Sequence, residues 1–330
     1  MHAQSRITVV IPLYNDWETL SLLFREFRQK VDGALLDRLF FLIVDDSSAF
    51  PHNLVAPTDV EFIQILHLVR NVGHQKAIAI GLAHVYAENN ADIVVVMDSD
   101  GEDKPEDLAQ LLAYHEQNPR TIVFAKRKKR REGFGFRSFY KIYQLLFWLL
   151  TGKAITFGNF SLIPFLLLKK LVFVSEIWNH FSGGIIRSKL PFAAIPLAWG
   201  SRLAGKSKMN FTSLLIHGLS SVAVQMDTVA VRLLLFSVST VLVTLIGIFV
   251  AAGIRLFTEW AIPGWASFVV LGLGIIFMQA CLIALFLVFM VLAYRTQQHF
   301  IPALHYQDFI IEIENIHSQQ VYDSDNLRRE

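Results

Sequence analysis

Cysteine is almost absent: Cys281 stands alone among 330 residues, so neither a disulfide framework nor a thiolate metal cluster is available. The 11 histidines show no H-x-x-x-H spacing, which leaves zinc hydrolysis without support. A G-x-S-x-G elbow and a G-x-G-x-x-G fingerprint are both missing, which argues against a serine hydrolase and a dinucleotide enzyme. There is no internal repeat, no low-complexity linker and no evident signal peptide. The early apolar stretch, Ile7 to Leu13, is short, contains Pro12 and runs directly into domain-like sequence. A formal net charge of +2 decides little, and nothing points to nucleic acid.

Charge is also missing from two long runs, in a chain that is 53% hydrophobic. Leu233 to Ile254 holds 22 residues without a charge, and Trp265 to Tyr294 holds 30. As a helix the first would span ~33 Å at ~1.5 Å per residue, against a hydrocarbon core of ~30 Å. Both read as transmembrane helices, about 231–254 and 265–294, the second long enough to tilt. Only Arg255 to Gly264 connects them, so they form a hairpin with both ends on one side. Arg202, Lys206, Lys208 and Arg232 precede the hairpin and Arg295 follows it, whereas the connection has only Arg255. The positive-inside bias then places the N-terminal part and the C-terminal tail in the cytoplasm. The expected location is the inner (plasma) membrane, multi-pass.

Before the hairpin, strand-like runs recur at 7–11, 39–44, 61–66, 92–97 and 121–125. They are nearly continuous in apolar residues, as in a sheet covered on both faces. Helical sequence separates several of them, at Trp17 to Val31, His74 to Glu88 and Pro105 to Gln117. Pro105 suits the first turn of its helix. Alternation of this kind predicts the α/β class, a mostly parallel sheet with flanking helices. Ligands collect beyond the carboxyl ends of such strands. Tyr14–Asn15, Asp45–Asp46 and Asp98–Asp100 all fall there. From Lys126 the texture changes. Six consecutive cations, "KRKKRR" (126–131), lead into an aromatic, leucine-rich stretch at 133–150 that suits a helix in the membrane interface. "IPFLLLKKLVFV" (163–174) and "SLLIHGLSSVAV" (213–224) read as further interfacial helices or as core. The polar, acidic tail after Pro302 reads as partly disordered.

"MDSDGEDKPEDL" (97–108) places Asp98, Asp100 and Glu102 at alternate positions of a turn. Three carboxylates so spaced can converge on one hard cation, Mg²⁺ or Mn²⁺, which neutralises a departing diphosphate. The plainer alternative is a solvated acidic loop ahead of the helix at Pro105. His74, alone at a helix start, reads as a capping or packing residue.

The motifs "VVIPLYND", "LIVDDSS", "RNVGHQKAIAIGL", "VVVMDSDGEDKPEDL" and "SRLAGKSKMNF", in that order, resemble those of family-two inverting glycosyltransferases. More narrowly, they resemble the polyprenyl-phosphate group that includes dolichol-phosphate mannose synthase and bactoprenol glucosyl transferases. The resemblance covers about residues 6 to 230, and the two-span hairpin suits bacterial members. It implies a nucleotide-sugar-binding (GT-A, Rossmann-like) fold and a metal-dependent hexosyltransferase acting in cell-envelope biogenesis. Its donor would be a nucleotide sugar, UDP-hexose by default, and its acceptor polyprenyl (undecaprenyl) phosphate.

Carried over by motif, Pro12, Tyr14 and Asp45 would hold the base, with Asn15 and Asp46 beside them and Arg70 near. Asp98, Asp100 and Glu102 would surround the metal and diphosphate, and Asp103 would position the sugar. Glu102 stands where relatives have glutamine, Lys104 where they have proline, "YND" for "YNE" and "DDSS" for "DDGS". The implied division is a catalytic core at 1–132, an acceptor-binding part at 133–228, the hairpin at 229–295 and a tail at 296–330.

A phosphate acceptor suits the cations present. Phosphate monoesters have a second pKa of ~6, so the nucleophile is already mostly dianionic and needs little deprotonation. The harder task is bringing two anions together. Arg127 and Arg131 either bind acceptor or diphosphate or belong to a patch for anionic lipids. Arg137 leads into the interfacial segment. Arg202, Ser207 and Lys208 match the family's R-x-x-G-x-S-K and would contact the acceptor phosphate, the alternative being a polar interfacial loop. Interfacial helices are compatible with a homo-oligomer. A processive polysaccharide synthase would carry Q-x-x-R-W and more spans, neither of which occurs, and a catalytically silent membrane scaffold is the rival of another class.

Overall fold

A mostly apolar run gives the first strand, β1 (Ile7–Leu13), and all seven of its residues, Thr8 included, are buried. The computed structural model describes residues 5–49, 62–127, 144–152, 157–198, 200–204, 218–258, 260, 264–296 and 300–317. After β1 come α1 (Trp17–Lys30), the one-turn α2 (Gly33–Leu36), β2 (Leu39–Asp45), β3 (Phe62–Leu68), α3 (His74–Glu88), β4 (Ile93–Val96), α4 (Asp107–Gln117) and β5 (Ile122–Arg127). All five strands and three longer helices lie where the apolar periodicity puts them. Helix α4 begins two residues after Pro105, because Lys104 and Pro105 carbonyls accept from Asp107 and Leu108 in tight three-residue bonds.

The chain then forms α5 (144–151), β6 (Ser161–Pro164), α6 (Phe165–Leu171), a 3₁₀ turn (Ser175–Trp178), α7 (Phe181–Ser188), β7 (Phe192–Leu197) and α8 (218–223). Two 32-residue helices follow, α9 (Met226–Phe257) and α10 (Trp265–Thr296). Last come the one-turn α11 (Pro302–His305), a 3₁₀ turn (Tyr306–Phe309) and β8 (Ile310–His317). One eight-stranded sheet results, in the order β7-β5-β6-β4-β1-β2-β3-β8. Pairings β1–β2, β1–β4, β2–β3 and β5–β7 are parallel; β6 runs antiparallel to β4 and β5, and β8 antiparallel to β3.

The sheet is covered on both faces. One face buries Ile7, Val9, Ile11, Phe41, Ile43 and Ile65 against α1, α2 and α4, with Phe24 and Phe27 packed edge-on to Phe41 at ring distances of 5.0 and 4.9 Å. On the other, Val10, Leu42, Val44, Val94 and Val96 meet α3, α6 and α7. Leu167, Leu168 and Leu171 of α6 are buried there, so this stretch is core and not interfacial. The stretch after Pro302 is ordered as far as His317. Its alternation "IIEIENIH" supplies a strand to the free edge of β3, which its acidic composition disguises.

Two compact units make up the chain. The first is Met1–Phe136, Ile155–Val224 and His299–Glu330, which contains the sheet; the second is Arg137–Ala154 and Gln225–Gln298. Within the second, α9 and α10 pack on each other closely enough that a Cβ on Gly247 would meet Leu273 at 3.0 Å. At ~1.5 Å per residue each is ~48 Å long, and both are apolar enough to cross a membrane. On α5, Leu145, Leu146, Trp148 and Leu149 are exposed, and Arg232 donates to the Trp148 and Leu149 carbonyls at 3.3 and 2.7 Å.

Nine consecutive residues of α3, Ala77–Val85, are buried. The helix comes so near the sheet at Gly81 that a Cβ there would lie 2.6 Å from Val10 Cγ1 and 2.8 Å from Val44 Cγ2. Gly81→Leu should therefore destabilise the sheet unit by about 1–3 kcal/mol, the usual range for overpacking. A lowered thermal midpoint of the detergent-purified protein checks this; an unchanged midpoint contradicts it.

Candidate active site

Three strand ends, those of β1, β2 and β4, open on the same edge of the parallel sheet, as strand order requires. The exits of β1 and β2 are tied together. Asn15, in the left-handed region at φ 51°, receives the Ala49 amide on Oδ1 at 2.8 Å and gives its own amide to Ser48 Oγ at 2.8 Å. Ser47 is also left-handed, at φ 62°. The glycine of the "DDGS" pattern would adopt that conformation without strain, and serine adopts it at a cost.

Asp45 and Asp46 are both buried, and each is satisfied differently. Asp45 accepts the Ser48 amide on Oδ1 at 3.0 Å, and its Oδ2 lies 3.0 Å from His67 Nδ1. Asp46 accepts the amides of Val72 and Gly73, at 2.6 and 2.9 Å, which fixes the "RNVG" turn ahead of α3. Burial raises the Asp46 pKa above the usual carboxylate value; the two amides oppose that, and the Asp45 charge adds to it.

The β4 turn is braced from several sides. Gly101 is left-handed at φ 79°, with Leu203 packed where a Cβ would project. Asp103, expected to position a sugar, is buried with its Oδ2 accepting the Asp98 amide at 3.0 Å, and supports the turn from behind. Asp100 Oδ1 accepts the Glu102 amide at 3.0 Å. Residues 200–203 lie along the turn, the Gly200 and Leu203 amides donating to the Glu102 and Asp100 carbonyls at 3.0 and 3.1 Å.

Among the described residues, a guanidinium and an imidazole face these acids. Arg202 Nη1 lies 3.2 Å from Asp100 Oδ2 and its Nη2 2.7 Å from Asp16 Oδ2. His74 Nε2 lies 3.2 Å from Asp98 Oδ1 and 3.0 Å from Asn159 Nδ2. Burial raises the Asp100 pKa, and the charges of Asp98 and Glu102 raise it further against the pull of Arg202. At His74 burial opposes protonation, yet Asp98, Asp100 and Asp103 outweigh it and the pKa is raised.

Among the described residues no three carboxylate or imidazole side chains converge on a single point. Mg²⁺ usually takes one or two protein carboxylates and completes its shell with water and phosphate oxygens. A cation at this turn would have one or two of these carboxylates as ligands, with water or phosphate oxygens completing its shell.

Of the other residues singled out in the sequence, Pro12 is buried within β1 opposite Val44, while Tyr14 and Arg70 are exposed. Arg127 ends β5 opposite Leu197. Arg131, Arg137, Ser207 and Lys208 lie outside the described residues. Asp16, His67 and Asn159 belong to the site and were not singled out, since nothing in local spacing reveals partners so distant in the chain.

This sheet, covered on both faces and open at an acidic turn, defines a nucleotide-sugar-binding glycosyltransferase fold of the GT-A type. It is similar to glucosyl-3-phosphoglycerate synthase from Mycobacterium tuberculosis in complex with Mn²⁺, UDP and glucosyl-3-phosphoglycerate. That match has a TM-score of 0.50 and 16% identity and covers 68% of this chain and 80% of that one. The same enzyme with Mn²⁺, UDP-glucose and phosphoglyceric acid matches at TM-score 0.50 and 18% identity, over the same shares. Residues 8–175, half of the chain, match the model of Glycosyl transferase family 2, and the chain belongs to that family.

Removing the Asp46 carboxylate would strand two amides. Hydrogen bonds to charged groups contribute about 1.5–3 kcal/mol each, so Asp46→Ala should cost about 3 kcal/mol or more. Asp46→Asn keeps one acceptor and should lose less. Chemical denaturation of the two variants checks the order, and equal losses would contradict it.

Proposed function

We propose that this protein is a membrane-bound inverting glycosyltransferase that moves one sugar from a nucleotide sugar, UDP-hexose foremost, to a polyprenyl phosphate. The phosphate oxygen attacks the anomeric carbon as the bond to the nucleoside diphosphate breaks. The observation that carries this reading is that one chain joins an acidic, family-two donor turn to two helices long enough to span a bilayer. The finer assignments rest on the motif resemblance and on charge.

On this reading the β1 and β2 exits, with Pro12, Tyr14, Asn15, Asp45, Asp46 and Arg70, receive the nucleotide. Asp98, Asp100 and Glu102 would hold Mg²⁺ or Mn²⁺, which when bound supplies positive charge to the leaving diphosphate. Arg127 and Arg131 would meet the diphosphate or the acceptor. Arg137, Arg202, Ser207 and Lys208 would draw the lipid phosphate in against its like-charged partner. Arg202 is the one of these whose surroundings the structure describes, and it lies against Asp100, at the donor turn itself. Exposed apolar side chains along α9 and α10, such as Phe236, Phe249 and Phe268, match lipid better than water. The cationic flanks of the hairpin favour a cytoplasmic catalytic unit at the inner membrane.

The test is a screen of radiolabelled nucleotide sugars with purified protein, undecaprenyl phosphate and Mn²⁺ or Mg²⁺. A single hexose on lipid phosphate supports the reading, and a polymer or no transfer refutes it. Asp98→Ala and Asp100→Ala should each lower turnover by about 10²-fold or more, the loss typical when charge stabilisation at a leaving group is removed. EDTA should abolish transfer; full turnover in its presence would remove the metal from the account. Lys208→Ala should raise the acceptor KM more than the donor KM in steady-state assays, and equal changes would exclude a phosphate-binding role.

A further inference from the structure

The final strand reaches into the donor side of the sheet. Three strands lie side by side there, and the register sets Asp45 of β2 opposite His67 of β3, and His67 opposite Glu312 of β8. Glu314 is the diagonal neighbour on the same face, paired with Ile65, and diagonal positions are within reach of long side chains. His67 uses both ring nitrogens in this row: Nδ1 lies 3.0 Å from Asp45 Oδ2, and Nε2 lies 3.3 Å from Glu314 Oε2. The imidazole thus lies between two carboxylates, within hydrogen-bond distance of each. A register shift between His67 and Leu68 falls at this point, and such irregularities re-aim side chains near functional sites. The other oxygen of Asp45 is fixed by the Ser48 amide. Between Ser48 and His67 the Asp45 carboxylate has one orientation.

We infer that His67 and Glu314 are positioning residues for the nucleotide, acting through Asp45, and that β8 is therefore a working part of the donor site. This rests on the reading of Asp45 as a donor-binding residue. The row does more than fasten an edge strand. The ladder of β3 and β8 and the Gln64–Asn315 hydrogen bond at 3.0 Å already do that. Glu314 is 37% exposed, so the sheet does not need it for its core. What the pair adds is a fixed imidazole beside a carboxylate whose immediate neighbour, Asp46, is also an acid.

Binding of UDP, GDP, dTDP, CDP and ADP to the full-length protein, by calorimetry with Mn²⁺, identifies the nucleotide and tests the row. For the diphosphate that binds, Glu314→Ala should weaken affinity about threefold, the size of a half-exposed ion pair. His67→Ala should weaken it about tenfold, as for loss of a hydrogen bond to a charged group. Glu314→Ala made on top of His67→Ala should add nothing, because its path to Asp45 is gone. Donor KM should rise in step, with acceptor KM and the Glu314→Ala melting midpoint unchanged. Glu314→Asp should recover part of the loss. Wild-type affinity in either single variant, additive losses in the double variant, or acceptor KM rising equally would each overturn the inference. If the wild-type protein binds none of the five diphosphates, the proposed function fails and this inference with it.

Discussion

Carboxylates crowd the carboxyl ends of three parallel strands, and the rest of the site is arranged around that crowding. Asp16, Asp45, Asp46, Asp98, Asp100 and Asp103 come together on one edge, and burial beside like charges raises the pKa of Asp46 and Asp100. Three kinds of donor meet them. Asp46 takes backbone amides, Asp45 an imidazole, Asp103 the amide of Asp98, Asp98 a second imidazole, and Asp16 and Asp100 share one guanidinium. The donors belong to β3, the start of α3 and the segment after β7, so compensation of the acids also ties distant parts of the chain to the site.

The same apolar chemistry meets two different surroundings in this chain. Helix α3 is apolar nearly all round and is buried from Ala77 to Val85 between the sheet and an outer layer of helices. Helices α9 and α10 are apolar all round and leave Phe236, Phe249, Phe268 and Phe286 exposed. A helix without a polar face needs an apolar partner on every side. Protein provides it for the first, and the other two are long and apolar enough to cross a membrane. Length separates the cases, 15 residues against 32.

Most of the sheet was legible in the sequence because its signals are local. The apolar runs of β1, β2 and β4 announce buried parallel strands, and the acidic turn after β4 announces itself by composition. Polar residues with remote partners were not legible. Arg202 reaches Asp16 across 186 positions and Glu314 reaches His67 across 247. No spacing rule spans such gaps. Strand β6 hid in the first residues of a run that continues as helix, and β8 hid behind three polar residues whose partners alternate with isoleucine. Pro105 marked the approach of α4 and missed its start by two residues, since the turn tightens before the helix begins.

Chain order adds a constraint that neither the sheet nor the helices impose alone. The carboxyl-end edge of the sheet takes residues 13–16, 45–49, 67–74 and 98–103 from before the apolar helices, and 310–314 from after them. While β8 is absent, β3 is an edge strand whose backbone groups are unpaired along one side, the exposure that folded proteins avoid. Closing that edge requires the long-range return of the chain after both apolar helices are made, and loops of this size close slowly. Completion of the sheet is thus tied to completion of the hairpin. Glu314 of β8 meets the imidazole that holds Asp45. The sheet is completed by a strand that follows both apolar helices in the chain.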